Sequence, residues 1–100
     1  MDFYVIGDEH MVLGFGLVGI PGTIVSSGDQ MLDEIKSVIE KNVKIIMVNE
    51  RIADSVRDKI ETMILKMDFP LVIEIPDRNG PLPDRKSLRE LLKSSIGFSL

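Results

Sequence analysis

The sequence predicts a doubly wound α/β fold, a four-stranded parallel sheet with helices on its faces, followed by a Pro-rich linker and a C-terminal helix. Two observations predict it. Four short β-branched apolar runs alternate with longer segments of helical period, which is the rhythm of βαβ units. One of those runs, Ile45-Ile46-Met47-Val48, is apolar at every position, as a strand covered on both faces requires.

The first strand is Phe3 to Gly7, and the turn after it is Gly7-Asp8-Glu9. Asp8 reads as the N-cap of the first helix, with Glu9 at the positive end of its dipole. This helix contains Gly14, Gly16 and Gly19, a literal G-x-G-x-x-G. In a dinucleotide site those glycines form the turn between strand and helix, where backbone N–H groups face a pyrophosphate. Here the trio begins seven residues beyond Gly7, inside the helix, and two carboxylates stand where the phosphate would sit. The spacing Gly14-x4-Gly19 also imitates a phosphate loop, but Ile20 and Pro21 replace its lysine and hydroxyl. Neither pattern supports nucleotide binding. The glycines instead predict a helix lying close to its sheet, or one that is partly irregular.

The second strand reads as Thr23 to Ser26. Ser27 with Gln30 forms a capping box, and Met31, Leu32, Ile35, Val38 and Ile39 mark one face of the second helix. Lys41-Asn42 closes it. The third strand runs from Lys44 to Asn49. A third helix is expected from about Glu50 to Met67, because Ile52, Val56, Ile60, Met63, Ile64 and Met67 recur at helical spacing. Arg57 and Glu61 are positioned to pair on its outer face, and Pro70 prevents continuation. Leu71 to Ile75 is the fourth strand.

Three units follow along the chain: an α/β domain over 1–76, a linker over 77–83 rich in proline, and a helix over 84–100 capped by Asp84. That helix aligns Leu88, Leu91, Leu92 and Ile96 on one side. Four aliphatics of this size are worth about 6–12 kcal/mol when fully buried, an upper bound. Such a stripe packs either on its own sheet or on another protein, and the linker favours the second.

Composition narrows the function classes. With 100 residues and no cysteine, the chain suits one core and excludes disulfides and thiolate metal sites. A single histidine, His10, excludes a multi-histidine site. The net charge of −4 and a pI near 4.9 lack the basic footprint of nucleic-acid binders. No apolar run approaches a membrane span and Met1-Asp2 lacks the charged start of a secretory signal, so a cytoplasmic location is expected. The rhythm resembles phosphoacceptor receiver domains, with Asp8 and Glu9 where Mg2+ would sit, but Asn49 occupies the position of the phosphorylated aspartate and a fifth strand is missing. No catalytic constellation and no cofactor site emerges. A free-standing flavodoxin-like ligand-binding or signalling domain is the alternative to an interaction protein.

Gly7-Asp8, Gly14-Phe15-x-Leu17-x-Gly19-Ile20, Val48-x-Glu50-Arg51-Ile52-Ala53, Pro70-x-Val72-x-Glu74-Ile75-Pro76 with Gly80, and Ile96-Gly97 together resemble the F subunit of the V-type and archaeal-type rotary ATPases. The resemblance covers nearly the whole chain, in order and at about the family's length. It implies a small α/β domain with a mobile C-terminal helix, bound to the coiled-coil axle of the central stalk, the D subunit. It also implies an accessory, non-catalytic part in linking ATP turnover to proton or sodium movement, with the terminal helix extending toward the catalytic head. On this reading Leu88, Leu91, Leu92 and Ile96 are the docking face of the terminal helix, and Glu50 and Arg51 are polar contacts to the stalk. The chain would then lie peripheral to the membrane, held there through the complex.

Overall fold

The computed structural model describes residues 2–76, in the order β1 (Phe3–Gly7), α1 (Glu9–Gly16), β2 (Gly22–Ile24), α2 (Gly28–Ile39), β3 (Ile45–Asn49), α3 (Glu50–Ala53), a 3-10 turn (Asp54–Val56), α4 (Arg57–Ile64) and β4 (Leu71–Ile75). The linker 77–83 and the terminal helix 84–100 expected from the sequence lie outside the described residues. All strands are parallel, in the order β2-β1-β3-β4. The doubly wound α/β expectation is therefore met.

Register and the two-residue period of strands divide the side chains between two faces. Tyr4 and Ile6 of β1, Ile46 and Val48 of β3 and Val72 of β4 join Met31, Leu32, Ile35 and Val38 of α2, Ala53 of α3, Val56, and Ile60 of α4 in one core. At its edge the Tyr4 hydroxyl lies 2.6 Å from Thr23 Oγ1, which donates to Glu34 Oε1 on α2 at 3.2 Å. Val5 and Met47 point the other way, toward α1. A Cβ added at Gly7 would lie 2.8 Å from Met11 Sδ, and one at Gly22 would lie 3.3 Å from Val12 Cγ1, so α1 sits on that second face.

Local signals account for the helix starts. Asp8 Oδ1 accepts the Met11 N–H at 2.8 Å, and Ser27 Oγ accepts the Gln30 N–H at 3.2 Å. The reciprocal half of the box is shifted by one residue, since Gln30 Oε1 accepts the N–H of Ser26 at 2.7 Å. The turn after α2 places Asn42 at φ 59°, a left-handed position that asparagine tolerates.

Two expectations are corrected. The single helix from Glu50 to Met67 is broken: α3 gives way to the 3-10 turn before α4 begins, and α4 stops at Ile64. The break lies where the N-terminus of α2 presses in, because a Cβ on Gly28 would come within 2.7 Å of both Ser55 Oγ and Val56 Cγ1. The turn packs Ser55 and Val56 against that N-terminus and keeps Ile52, Val56 and Ile60 directed inward. The glycines of α1 do not serve close packing either. Among the described residues, a Cβ at Gly14, Gly16 or Gly19 would meet nothing within 4 Å. Each helical glycine costs about 1 kcal/mol against alanine, and α1 is accordingly short, ending at Gly16 before a turn in which Gly19 takes φ +87°.

Candidate functional site

In doubly wound sheets ligands gather where the strand order reverses, at the C-terminal ends of the strands. Here that point lies between β1 and β3. An open groove of about 620 Å³ occupies it, with Asp8 and Asn49 at its floor, Met11, Phe15 and Val18 along one wall, and Ile75 and Pro76 at the exit of β4. His10 and Arg51 stand at its rim.

The floor is chemically closed. Asp8 spends one carboxylate oxygen on the cap of α1, and its second accepts Asn49 Nδ2 at 3.3 Å. Asn49, buried in this position, turns its own Oδ1 to the N–H of Ile52 at 3.1 Å and so caps α3. One carboxylate and one amide thus tie β1 to β3 and start two helices. Among the described residues no group of three or more potential metal ligands forms, and Glu9 lies exposed on α1. The G-x-G-x-x-G glycines lie in α1 and the turn beyond it, away from any strand-to-helix turn, so they form no phosphate cradle.

The predicted contacts Glu50 and Arg51 are adjacent in sequence but placed differently. Glu50 opens α3 and is only 3 % exposed, whereas Arg51 is exposed beside the groove. Leu88, Leu91, Leu92 and Ile96 lie outside the described residues.

One polar cluster escaped the sequence reading. Arg57 does not turn to Glu61: its Nε and Nη2 donate to the two carboxylate oxygens of Glu74 on β4 at 2.8 and 2.7 Å, and its Nη1 donates to Asp54 at 2.8 Å. The fork is largely enclosed, with side-chain exposures of 14 % and 19 % for Arg57 and Glu74. Hydrogen bonding to Glu74, then to Asp54, holds the guanidinium even further above its ordinary pKa, against the opposing pull of burial. Its signal in the sequence was the charge of Glu74 in an otherwise apolar strand.

A second unforeseen feature is apolar and outward. Leu13, Leu17 and Val18 stand in solvent on and just after α1, and Ile24 does so on the neighbouring edge strand. α1 contributes no buried residue at all.

Fold and site together define a small open α/β domain of doubly wound type, whose switch point is bridged by a carboxylate–amide pair and whose first helix displays aliphatic side chains. The sequence model of the ATP synthase (F/14-kDa) subunit matches residues 3–92, and the chain belongs to that family. It is 37% identical over 98 residues to the A-type ATP synthase F subunit of Methanothermobacter thermautotrophicus, covering 96% of this chain and 92% of the relative. It is 30% identical over 100 residues to that of Methanocaldococcus jannaschii, covering 96% and 95%, and 31% identical over 106 residues to that of Thermococcus sibiricus, covering 100% and 98%. The resemblance to the F subunit of archaeal-type rotary ATPases is thus borne out. No helix among the described residues is long and apolar enough to cross a membrane.

Proposed function

We propose that this chain is a non-catalytic central-stalk component of an A/V-type rotary ATPase. It binds the coiled-coil axle, the D subunit, turns with it inside the catalytic head, and helps couple ATP synthesis or hydrolysis to proton or sodium transport. The observation that carries the reading is the family match over 3–92, together with full-length relatives named as the F subunit of A-type ATP synthases. The way Asp8 is used supports it, since this groove-lining carboxylate is engaged in capping and in holding Asn49.

On this reading the terminal stripe of Leu88, Leu91, Leu92 and Ile96 docks on the stalk or head, and Arg51 at the groove rim adds a polar contact, with Glu50 buried behind it. The test is size-exclusion chromatography with light scattering of the full chain mixed with the axle protein of the same organism. A one-to-one complex is expected, and two separate species would refute the assignment. Replacing Leu91 and Leu92 with aspartate should weaken that complex while leaving the melting curve unchanged; a collapsed melt would instead make the stripe part of the core.

The groove at the switch point favours a second reading, a ligand-binding domain. Calorimetric titration with Mg2+ and with nucleotides separates the two. Heat that disappears in Asp8→Ala would support the ligand site.

A further inference from the structure

α1 and α2 are held to the sheet by unequal means. α2 buries Met31, Leu32, Ile35 and Val38. None of the eight residues of α1 is buried, and its best-covered side chains, Met11, Val12 and Phe15, are half-buried. Lifting α1 therefore gives up far less side-chain burial than lifting α2, and few buried apolar contacts are the mark of a segment that opens below the cost of global unfolding.

The helix is also self-contained. Asp8 Oδ1 accepts the Met11 N–H at its start. At its end the Ile20 N–H donates to the Phe15 carbonyl at 3.2 Å and the Gly19 N–H to that of Gly16 at 3.0 Å, a Schellman ending with Gly19 at φ +87°. These bonds all lie within residues 8–20. A helix of eight residues does not persist alone in water, and Gly14 weakens this one further, so leaving the sheet and melting are one event.

The neighbouring edge strand does not depend on α1. The Val5 N–H donates to the Pro21 carbonyl at 3.0 Å and the Val25 N–H to that of Gly7 at 2.8 Å, which fastens both ends of β2 to β1. Thr23 is joined to Tyr4 and to Glu34 of α2, on the packed face. β2 can thus stay in the sheet when α1 leaves it.

We propose that α1 is a detachable cover: residues 9–19 leave the sheet and melt as one unit while the four strands and α2, α3 and α4 stay folded. Detachment uncovers Val5 and Met47 and removes Met11, Phe15 and Val18 from the wall of the switch-point groove. Anything that grips that wall holds the cover down by mass action. The device belongs to the α/β domain itself and goes beyond the stalk reading.

The test is native-state hydrogen exchange of the full chain, comparing the helical amides of α1, Leu13 to Leu17, with those of α2, Leu32 to Ile39. Protection in α1 should be uniform and at least about tenfold lower than in α2. Urea well below the unfolding midpoint should speed exchange in α2 and barely alter it in α1, because the smaller opening exposes less surface. Ile60→Val, a change in the core of the packed face, should lower protection in α2 by about two- to tenfold and leave that of α1 unchanged. Gly14→Ala should raise protection in α1 by about two- to fivefold. If α1 and α2 are equally protected, and urea and Ile60→Val lower both alike, α1 is released only by global unfolding and the proposal fails. Protection that declines steadily toward one end of α1 would mean fraying in place of a unit and would overturn it as well.

Discussion

The two faces of the sheet are built to different standards. On one, α2, α3 and α4 cover Tyr4, Ile6, Ile46 and Val48, and thirteen buried residues close into one core. On the other, α1 is the one helix among the described residues, eight residues long, with one glycine inside it, another at its end and no buried side chain. At the margins of that face Phe3, Leu71 and Ile24 remain exposed, even though Val5 at its centre is fully buried. The first face holds the domain together, and the second leaves aliphatic side chains exposed. A protein that worked alone would gain by filling Gly14 and Gly16 with alanine and by making Leu13 and Leu17 polar.

Mutation can break this comparison, starting with the largest effect. Ile46→Ala on the packed face removes a fully buried side chain and should cost about 2–5 kcal/mol in urea unfolding. A cost below that range would mean that the core relaxes into the space. Arg57→Ala should cost about 1.5–3 kcal/mol, since it strips charge-assisted bonds from the largely enclosed Glu74. In a double-mutant cycle with Glu74→Gln, most of that cost should appear as coupling between the two residues. The pair's cation is insensitive to ordinary pH. A raised arginine pKa contributes stability that is complete below the pKa of the unfolded chain and fades only as pH climbs through the still higher folded one.

Glycine substitutions sharpen the contrast, because the same change should have opposite signs on the two faces. Gly28→Ala drives a methyl group to within 2.7 Å of Ser55 and Val56 and should destabilise by about 1–3 kcal/mol. Gly14→Ala enters open space and should stabilise by about 0.5–1 kcal/mol. Parallel thermal melts read both, and a loss at Gly14 would show that α1 is packed more tightly than its surroundings indicate. Smallest of all is Leu17→Ser, expected to leave stability within about 0.5 kcal/mol of wild type. A larger drop would place Leu17 in a core rather than in solvent.

Much of the fold was legible because its signals are local. β-branched runs located β1, β3 and β4, and side-chain oxygens three residues before an N–H set the starts of α1 and α2. Asp8 was readable as a cap on the same grounds. The break at Asp54–Val56 was not, since Ile52, Val56 and Ile60 keep helical spacing on either side of it and it packs against Gly28, more than twenty residues away in sequence. Arg57 misled for a related reason. Glu61 is its neighbour on an ideal helix, but Glu74 offers two acceptor oxygens in a partly enclosed site, where a guanidinium fork gains more than on an exposed surface.

By itself, then, the sequence determined the strand and helix rhythm, the parallel sheet, the capping residues and the family, all of which depend on periods and hydrogen bonds spanning a few residues. Tertiary structure alone decided which face each apolar residue enters, where the third helix breaks, that Asp8 and Asn49 meet across 41 positions, and that Leu13 and Leu17 are left outside. The physical reason is packing. An amphipathic pattern states that a side chain seeks cover, but only the positions of the other elements determine whether the domain supplies that cover or leaves it to a partner.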